Sequence, residues 1–536
     1  MTIDISEIPD APKRRTIDFY TVLLFLVAPL WCAVPLAWGF VIYALHTGKV
    51  WSYSLPWLTL FSVSLFEMIF SIYYHHLSKQ LSGPPKNGHG NTTEIQLAFH
   101  RILKVGLASL PPDGDDEEVD RPGSPNEAIV QLEPDDPRAI EFRNTLRTWF
   151  RREPWSTVRL HQVRQWIYWA IFNKDLPAPE TLPQAHKVVL DESLDLLQKR
   201  LGKPIPEGSN SSVKPILLNL DKPNILWRPL TFYVLTAIGN LCLDLWYQKS
   251  HNFRRGSLDG LEYLVRIPKK WRSSDRHPRP ILFFHGLGLG LVQYHNFLSR
   301  LVRDFSDRPL LIILQPHVSQ DIFHPKYLAP TPRKQTTAAL ARLLVSFGWA
   351  DLEPAVSGCS TEDEQKGAIY APKRRLSGVT ALSHSNGSYA HAWMLKDYPH
   401  MLSRSCFVDP VTFCCWEGDV CRNFFYKTCT TGFELMVRYF VSTELGVVNL
   451  LQKNFDWSSN SLWFEEIPNA RDPSKALFLF GDKDSIVATN RVKLYLRSHG
   501  IRKGLWSDPQ GHHGEALLAG GDGCRLVYDW LREREL

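Results

Sequence analysis

The sequence predicts an α/β domain, a mostly parallel sheet flanked by helices, in the C-terminal half, preceded by a transmembrane helical hairpin and a helical region. Three observations predict it. After about residue 253 short apolar runs such as Ile281–Phe284 alternate with helical stretches, as parallel strands with crossover helices require. Near the N-terminus, Phe19–Leu45 contains no charged residue, and a second apolar run covers Trp51–Tyr74. Between the apolar runs and the alternating region lie a turn-rich, acidic tract and then renewed helical spacing.

The first run exceeds the roughly 20 apolar residues that cross a hydrocarbon core. Pro29 and Pro35 fall inside it, and membrane helices tolerate such breaks better than soluble ones. It is too long for a signal-peptide core, and no small-x-small cleavage pattern follows. The second run is interrupted by Glu67 alone, a carboxylate that costs about 2.5–3.5 kcal/mol at the centre of a span. One span plus an interfacial helix is the alternative to a two-span hairpin. Lys13, Arg14 and Arg15 precede the first run, whereas the 46–50 link holds only Lys49. The positive-inside rule then places the N-terminus in the cytosol, and a hairpin returns the C-terminal half to the same side.

Residues 1–81 are therefore expected to form a membrane anchor and 82–140 a flexible linker. The linker includes the acidic run Asp113–Asp120, which reads as a solvated loop rather than a cation site. A helical, membrane-associated region follows over 141–252. In it, "VRLHQVRQWIYWAIF" sets aromatics beside Arg159 and Arg164, suiting an interfacial helix or an ordinary core helix. "RPLTFYVLTAIGNLCLDLWYQKS" is short for a span and reads as a buried or membrane-leaning helix. The many tryptophans in this half suit a bilayer interface, where the indole ring is half apolar and half polar.

Composition excludes some functions. A net charge of +6 on 536 residues, with no basic stripe interleaved with aromatics, argues against nucleic acid. The nine cysteines are irregularly spaced and lack paired CxxC or His motifs. Neither a metal site nor a disulfide framework is expected, and free thiols suit a reducing compartment.

The α/β half, 253–536, carries the chemistry. The strand Ile281–Phe284 runs into His285-Gly286-Leu287-Gly288-Leu289-Gly290, a loop whose backbone N–H groups can approach a ligand closely. It lacks the third glycine and the downstream acid of a dinucleotide loop. The strand Val379–Leu382 ends in Ser383-His384-Ser385-Asn386-Gly387. This is the G-x-S-x-G nucleophile elbow with Ser383, also small, in place of the first glycine. The strand Ala476–Phe480 precedes a turn with Asp482 and Asp484, and "SDPQGHHGEALL" offers His512 and His513. A serine, an acid and a histidine in this order, each after a strand, supply a nucleophile, an orienting carboxylate and a general base.

The segments "FFHGLGLG", "LSHSNGS", "FGDKDSIV" and "GHHGEALL" together resemble the α/β-hydrolase superfamily over about residues 255–536. The wider layout, with "FVDPVTFCC", "NFFY" and "WFEE", resembles membrane-anchored fungal members. The resemblance implies Ser385 as nucleophile, Asp484 as acid and His513 as base. Asp482, Asp409 and His512 remain as alternatives. It implies oxyanion donors from the backbone of Leu287 and Asn386, with Gly288 as a third. His384, beside the serine, reads as a packing residue or a support to its neighbours rather than as a second base. A lid is expected over about 414–467, whose Trp416, Phe424, Phe425, Tyr426, Trp457, Trp463 and Phe464 would line an apolar pocket or form the lid's own core. The implied activity is hydrolysis of a carboxylic ester without a cofactor, and the apolar N-terminal runs with the aromatic lid point to a lipid or other apolar acyl substrate and to the bilayer as partner. An acyltransferase or thioesterase on the same residues, or a silent scaffold, is the alternative.

Overall fold

The computed structural model describes residues 3–11, 13–81, 83, 92–105, 129–272, 278–352 and 378–533. The acidic run 113–120 lies outside them. The chain forms two units. One comprises 1–239, 320–330 and 416–458, and the other 240–319, 331–415 and 459–536.

The first unit is helical. Its helices α1 (Ile17–His46) and α2 (Leu55–Gln80) are each long and apolar enough to cross a membrane. They pair through a cluster of Val41, Ala44 and Phe61, and the Trp38 indole donates to Ser71 Oγ at 2.9 Å. Pro35 has no N–H to give the Trp31 carbonyl four residues back, and the Trp227 indole donates to that carbonyl instead, at 3.3 Å. Glu67, the one charge in the second apolar run, is buried and accepts the Leu230 N–H, with both carboxylate oxygens 2.9 Å away. That N–H belongs to the first turn of a later helix, so the carboxylate satisfies a donor that no helical carbonyl can reach. The cost of burying it is offset in this way.

The expected linker contains a helix, α3 (Thr92–Lys104), with Ile95, Ala98, Phe99 and Leu103 buried. Their i, i+3, i+4 spacing is an amphipathic signal hidden between turn-rich segments. Arg200 donates to the Leu103 and Val105 carbonyls that end α3. The helices α4 (Pro137–Leu146), α5 (Leu160–Phe172) and α6 (Gln184–Leu201) complete this region. Trp149, Trp155, Trp166 and Trp169 are all buried here. These four indoles build a core rather than a bilayer interface, and α5 takes the core-facing of its two readings.

The insertion after the sixth strand is helical, in short turns. The Trp149 indole donates to the Trp416 carbonyl at 2.9 Å, and the Trp457 indole to the Ala170 carbonyl at 2.8 Å. Trp416, Phe424, Phe425, Trp457 and Trp463 are buried. Residues 416–458 thus belong to the same unit as α1–α6, and the aromatics of this stretch serve as its core. Among the described cysteines no disulfide is formed.

The helix α7 (Leu230–His251) is the third of membrane-crossing length and hydropathy. It is one uninterrupted helix, with residues 230–239 in the first unit and 240–251 in the second.

The second unit is built on β1 (Arg254–Leu258), β2 (Leu261–Arg266), β3 (Ile281–Phe284), β4 (Leu310–Leu314), β5 (Val379–His384), β6 (Leu402–Val408), β7 (Ala476–Gly481) and β8 (Leu505–Asp508). They form one sheet in the order β1-β2-β4-β3-β5-β6-β7-β8. The β1–β2 and β2–β4 pairs are antiparallel and the rest parallel. The central strands β3, β5 and β7 are buried at every residue, the unbroken apolar pattern of a sheet covered on both faces. Crossovers run through α8 (Leu291–Asp304), α9 (Arg333–Ser346), α10 (Gly387–Asp397) and α11 (Thr489–Ser498), and α12 (Asp522–Arg532) closes the described chain. The loops that leave the carboxyl ends of β3, β5, β6, β7 and β8 carry the candidate site.

Replacing Glu67 by Leu leaves the Leu230 N–H buried without an acceptor. We expect the full-length protein in detergent to lose about 1–2 kcal/mol, read as a lowered midpoint of thermal unfolding. An unchanged midpoint contradicts the capping role.

Candidate active site

Ser385 occupies the turn between β5 and α10 with φ +51°. This left-handed conformation is costly for a residue with a Cβ, and such strain concentrates at functional turns. Gly387 is required because a Cβ there would lie 2.3 Å from the Phe284 carbonyl oxygen. Ser383, in place of the motif's first glycine, turns its hydroxyl inward, 2.9 Å from His391 Nδ1. His391 Nε2 is in turn 3.0 Å from Ser405 Oγ. Burial lowers the pKa of His391 to about 3, so this internal histidine is neutral.

Three predicted residues come together. His513 Nε2 lies 2.8 Å from Ser385 Oγ, and His513 Nδ1 lies 2.6 Å from Asp484 Oδ2. The other Asp484 oxygen accepts the N–H groups of Ile486 and Val487 at 2.7 and 3.0 Å, which fixes the carboxylate on its turn. Burial opposes charge on His513, but the charge and hydrogen bond of Asp484, with a contribution from Asp409, raise its pKa to about 9. The pair therefore stabilises the imidazolium that forms when the histidine takes a proton.

The other predicted acids and base are placed differently. Asp482 accepts from Lys493 Nζ at 2.7 Å. His512 donates its backbone N–H to Glu515 at 2.8 Å. Asp409, fully buried after β6 with φ +43°, accepts the Gly481 N–H at 3.0 Å with one oxygen and the Gly514 N–H at 2.7 Å with the other. It thereby ties the loop carrying Asp484 to the loop carrying His513. Burial, with Asp484 nearby, raises its pKa to about 6 against the opposing pull of His513.

Of the predicted oxyanion donors, Gly288 gives its N–H to the Val318 carbonyl at 3.0 Å. That donor is already committed, which corrects its candidacy. Gly286 gives its N–H to Tyr294 Oη at 2.8 Å. The N–H groups of Leu287 and Asn386 have no acceptor among the described residues. A Cβ on Gly286 would fall 3.0 Å from Ser385 Cβ, so this loop passes directly beside the serine. The sequence gives no sign of Tyr294, whose hydroxyl also lies 2.6 Å from His384 Nδ1. Burial, then repulsion from His513 and His285, holds the His384 pKa well below its usual value. His384 is therefore a neutral neighbour of the base.

The donor atoms of Asp409, Asp484 and His513 lie within 4.8 Å of one another, as those of a cation site would. Each is already engaged, with one another or with backbone N–H groups. The donor set is better matched to proton transfer than to a metal.

The strand order, the strained serine turn and the Ser–Asp–His chain order define an α/β-hydrolase fold. No family model matches the chain, and no curated protein does. Solved structures similar to it include carboxyl esterase 2 from the mycorrhizal fungus Tuber melanosporum, at 15% identity and TM-score 0.32, over 53% of this chain and 87% of that one. A bacterial membrane phospholipase A matches at 14% and 0.33, over 56% and 93%. A thermophilic esterase from Thermogutta terrifontis matches at 13% and 0.32, over 52% and 98%.

Asp484→Asn should lower kcat/KM on the order of 10⁴-fold. It should also move the rising limb of its pH profile to lower pH, because the lost charge is one that raises the His513 pKa. Asp409→Asn should move the same limb in the same direction and cost about 10²-fold as the two loops loosen. A pH profile unmoved in both variants contradicts this electrostatic assignment.

Proposed function

We propose that the chain is a membrane-anchored serine hydrolase that cleaves a carboxylic ester with an apolar acyl group through an acyl-enzyme. The observation that carries the reading is the unbroken contact from Asp484 through His513 to Ser385, at 2.6 and 2.8 Å. His513 takes the Ser385 proton as Oγ attacks the ester carbonyl, and Leu287 and Asn386 donate N–H bonds to the oxyanion. The imidazolium then gives its proton to the leaving alcohol. Water, deprotonated by the same histidine, releases the acid and restores the serine.

The apolar substrate class is supported by α1 and α2, which have the length and hydropathy of spans and would hold the enzyme where such esters concentrate. Lys13, Arg14 and Arg15 ahead of α1 support a cytosolic N-terminus, and the hairpin brings the catalytic domain to that side.

A fluorophosphonate probe should label the full-length protein, and Ser385→Ala should abolish labelling. A panel of acylglycerols, phospholipids, sterol esters and acyl-CoA then identifies the ester. Absent labelling, or labelling equal in the Ser385→Ala variant, overturns the reading.

A further inference from the structure

The helix α7 has its polarity inverted for a water-soluble protein. Asn240, Asp244 and Gln248 recur every four residues on one face, and that face is engaged with protein. Asp244 is buried and accepts from Arg255 at 2.5 Å and from Gln248 at 2.8 Å. A separate, outward face carries Leu235, Ile238, Leu241 and Leu245, which are 69%, 51%, 56% and 43% exposed. A helix that turns polar groups inward and a continuous apolar stripe outward needs a non-aqueous neighbour. Two further facts favour lipid over a protein partner. The helix has the length and hydropathy of a span. Its first turn is also capped by Glu67 of α2, itself of spanning character, beside the exposed Phe66 and Ile69.

Asn240, on the inward face, holds the glycine loop. Its Oδ1 accepts the Leu291 N–H at 2.8 Å and its Nδ2 donates to the Leu289 carbonyl at 2.9 Å. Between them Gly290 has φ +65°, and a Cβ there would lie 2.8 Å from Asn240 Oδ1. This two-point clamp fixes the end of the loop that bears the Leu287 N–H. Gln293 fixes its middle, accepting from the Leu289 N–H and donating to the Leu287 carbonyl, both at 2.9 Å.

We propose that the outward face of α7 is seated in the hydrocarbon of a lipid bilayer, and that Asn240 makes this lipid-seated helix a positioning element of the oxyanion site. The second part rests on the proposed function, because it takes the Leu287 N–H as an oxyanion donor. Seating of α7 in lipid then supports the catalytic loop, so the hydrolase is most competent on the membrane where apolar esters reside.

The test uses the full-length protein in phosphatidylcholine vesicles. A benzoylphenylalanine photocrosslinker at Ile238 should attach to lipid on irradiation. Attachment to a second copy or to water alone overturns the lipid seat. Asn240→Ala should slow fluorophosphonate labelling of Ser385 at least about tenfold and lower kcat with KM little changed, because the oxyanion forms only in the transition state. Asn240→Asp keeps the acceptor for the Leu291 N–H but not the donor to Leu289, and should fall between the two. Equal labelling rates in wild type and Asn240→Ala, or a loss confined to KM, overturn the positioning role. If the wild type itself is not labelled, the proposed function fails, whatever the Ile238 crosslink shows.

Discussion

Two hydrogen bonds to one buried carboxylate hold the site in register. The oxygens of Asp409 accept from Gly481 and Gly514, and these residues sit three before Asp484 and one after His513. A parallel sheet brings the ends of β6, β7 and β8 side by side, but strand pairing alone leaves the loops beyond them free to sample many arrangements. Tying both loops to one rigid, buried anchor selects the arrangement in which acid and base touch. The left-handed backbone of Asp409 is tolerated because the surrounding strands and the two N–H donors over-determine it. The same carboxylate adds charge behind His513, so position and electrostatics come from one group.

Ser385 is held from the other side of the sheet's crest. Its strained turn is packed against β3 through Gly387, which admits no side chain. The loop after β3 in turn spends most of its donors internally, on Tyr294, Val318, Gln293 and Asn240. Among the described residues, the Leu287 N–H of this loop has no acceptor and lies next to the serine. A donor left without an acceptor is unfavourable in the resting protein, and it becomes an asset where charge develops on a reacting oxygen.

Much of this was legible in the sequence. The parallel sheet showed as unbroken apolar runs, motif and chain order pointed to Ser385 with a downstream acid and histidine, and the family resemblance favoured Asp484 and His513. Distance then sets Asp484 apart from Asp409 and Asp482, since all three follow strands and only geometry separates a partner of His513 from a tether or an ion-pair partner. Gly288 was misjudged because a glycine loop advertises backbone access without saying which N–H groups are consumed. Asn240 and Tyr294 left no trace, because each acts across long sequence separation from a helix whose pattern reads as packing. Glu67 looks like a defect in an apolar run, yet it satisfies a donor that only the tertiary fold supplies. The four buried tryptophans of α4–α5 and their flanks show the converse: an amphipathic residue type does not announce whether its neighbour will be lipid or protein.

On the proposed function, Ser385, activated by His513, forms a covalent acyl intermediate. Rapid mixing of the full-length protein with a chromogenic ester, with acid quench and peptide mass analysis, tests it directly. A burst of alcohol of about one equivalent per protein is expected, with the acyl mass on the peptide that contains Ser385. Turnover with no acyl adduct, or an adduct on a different residue, would contradict it.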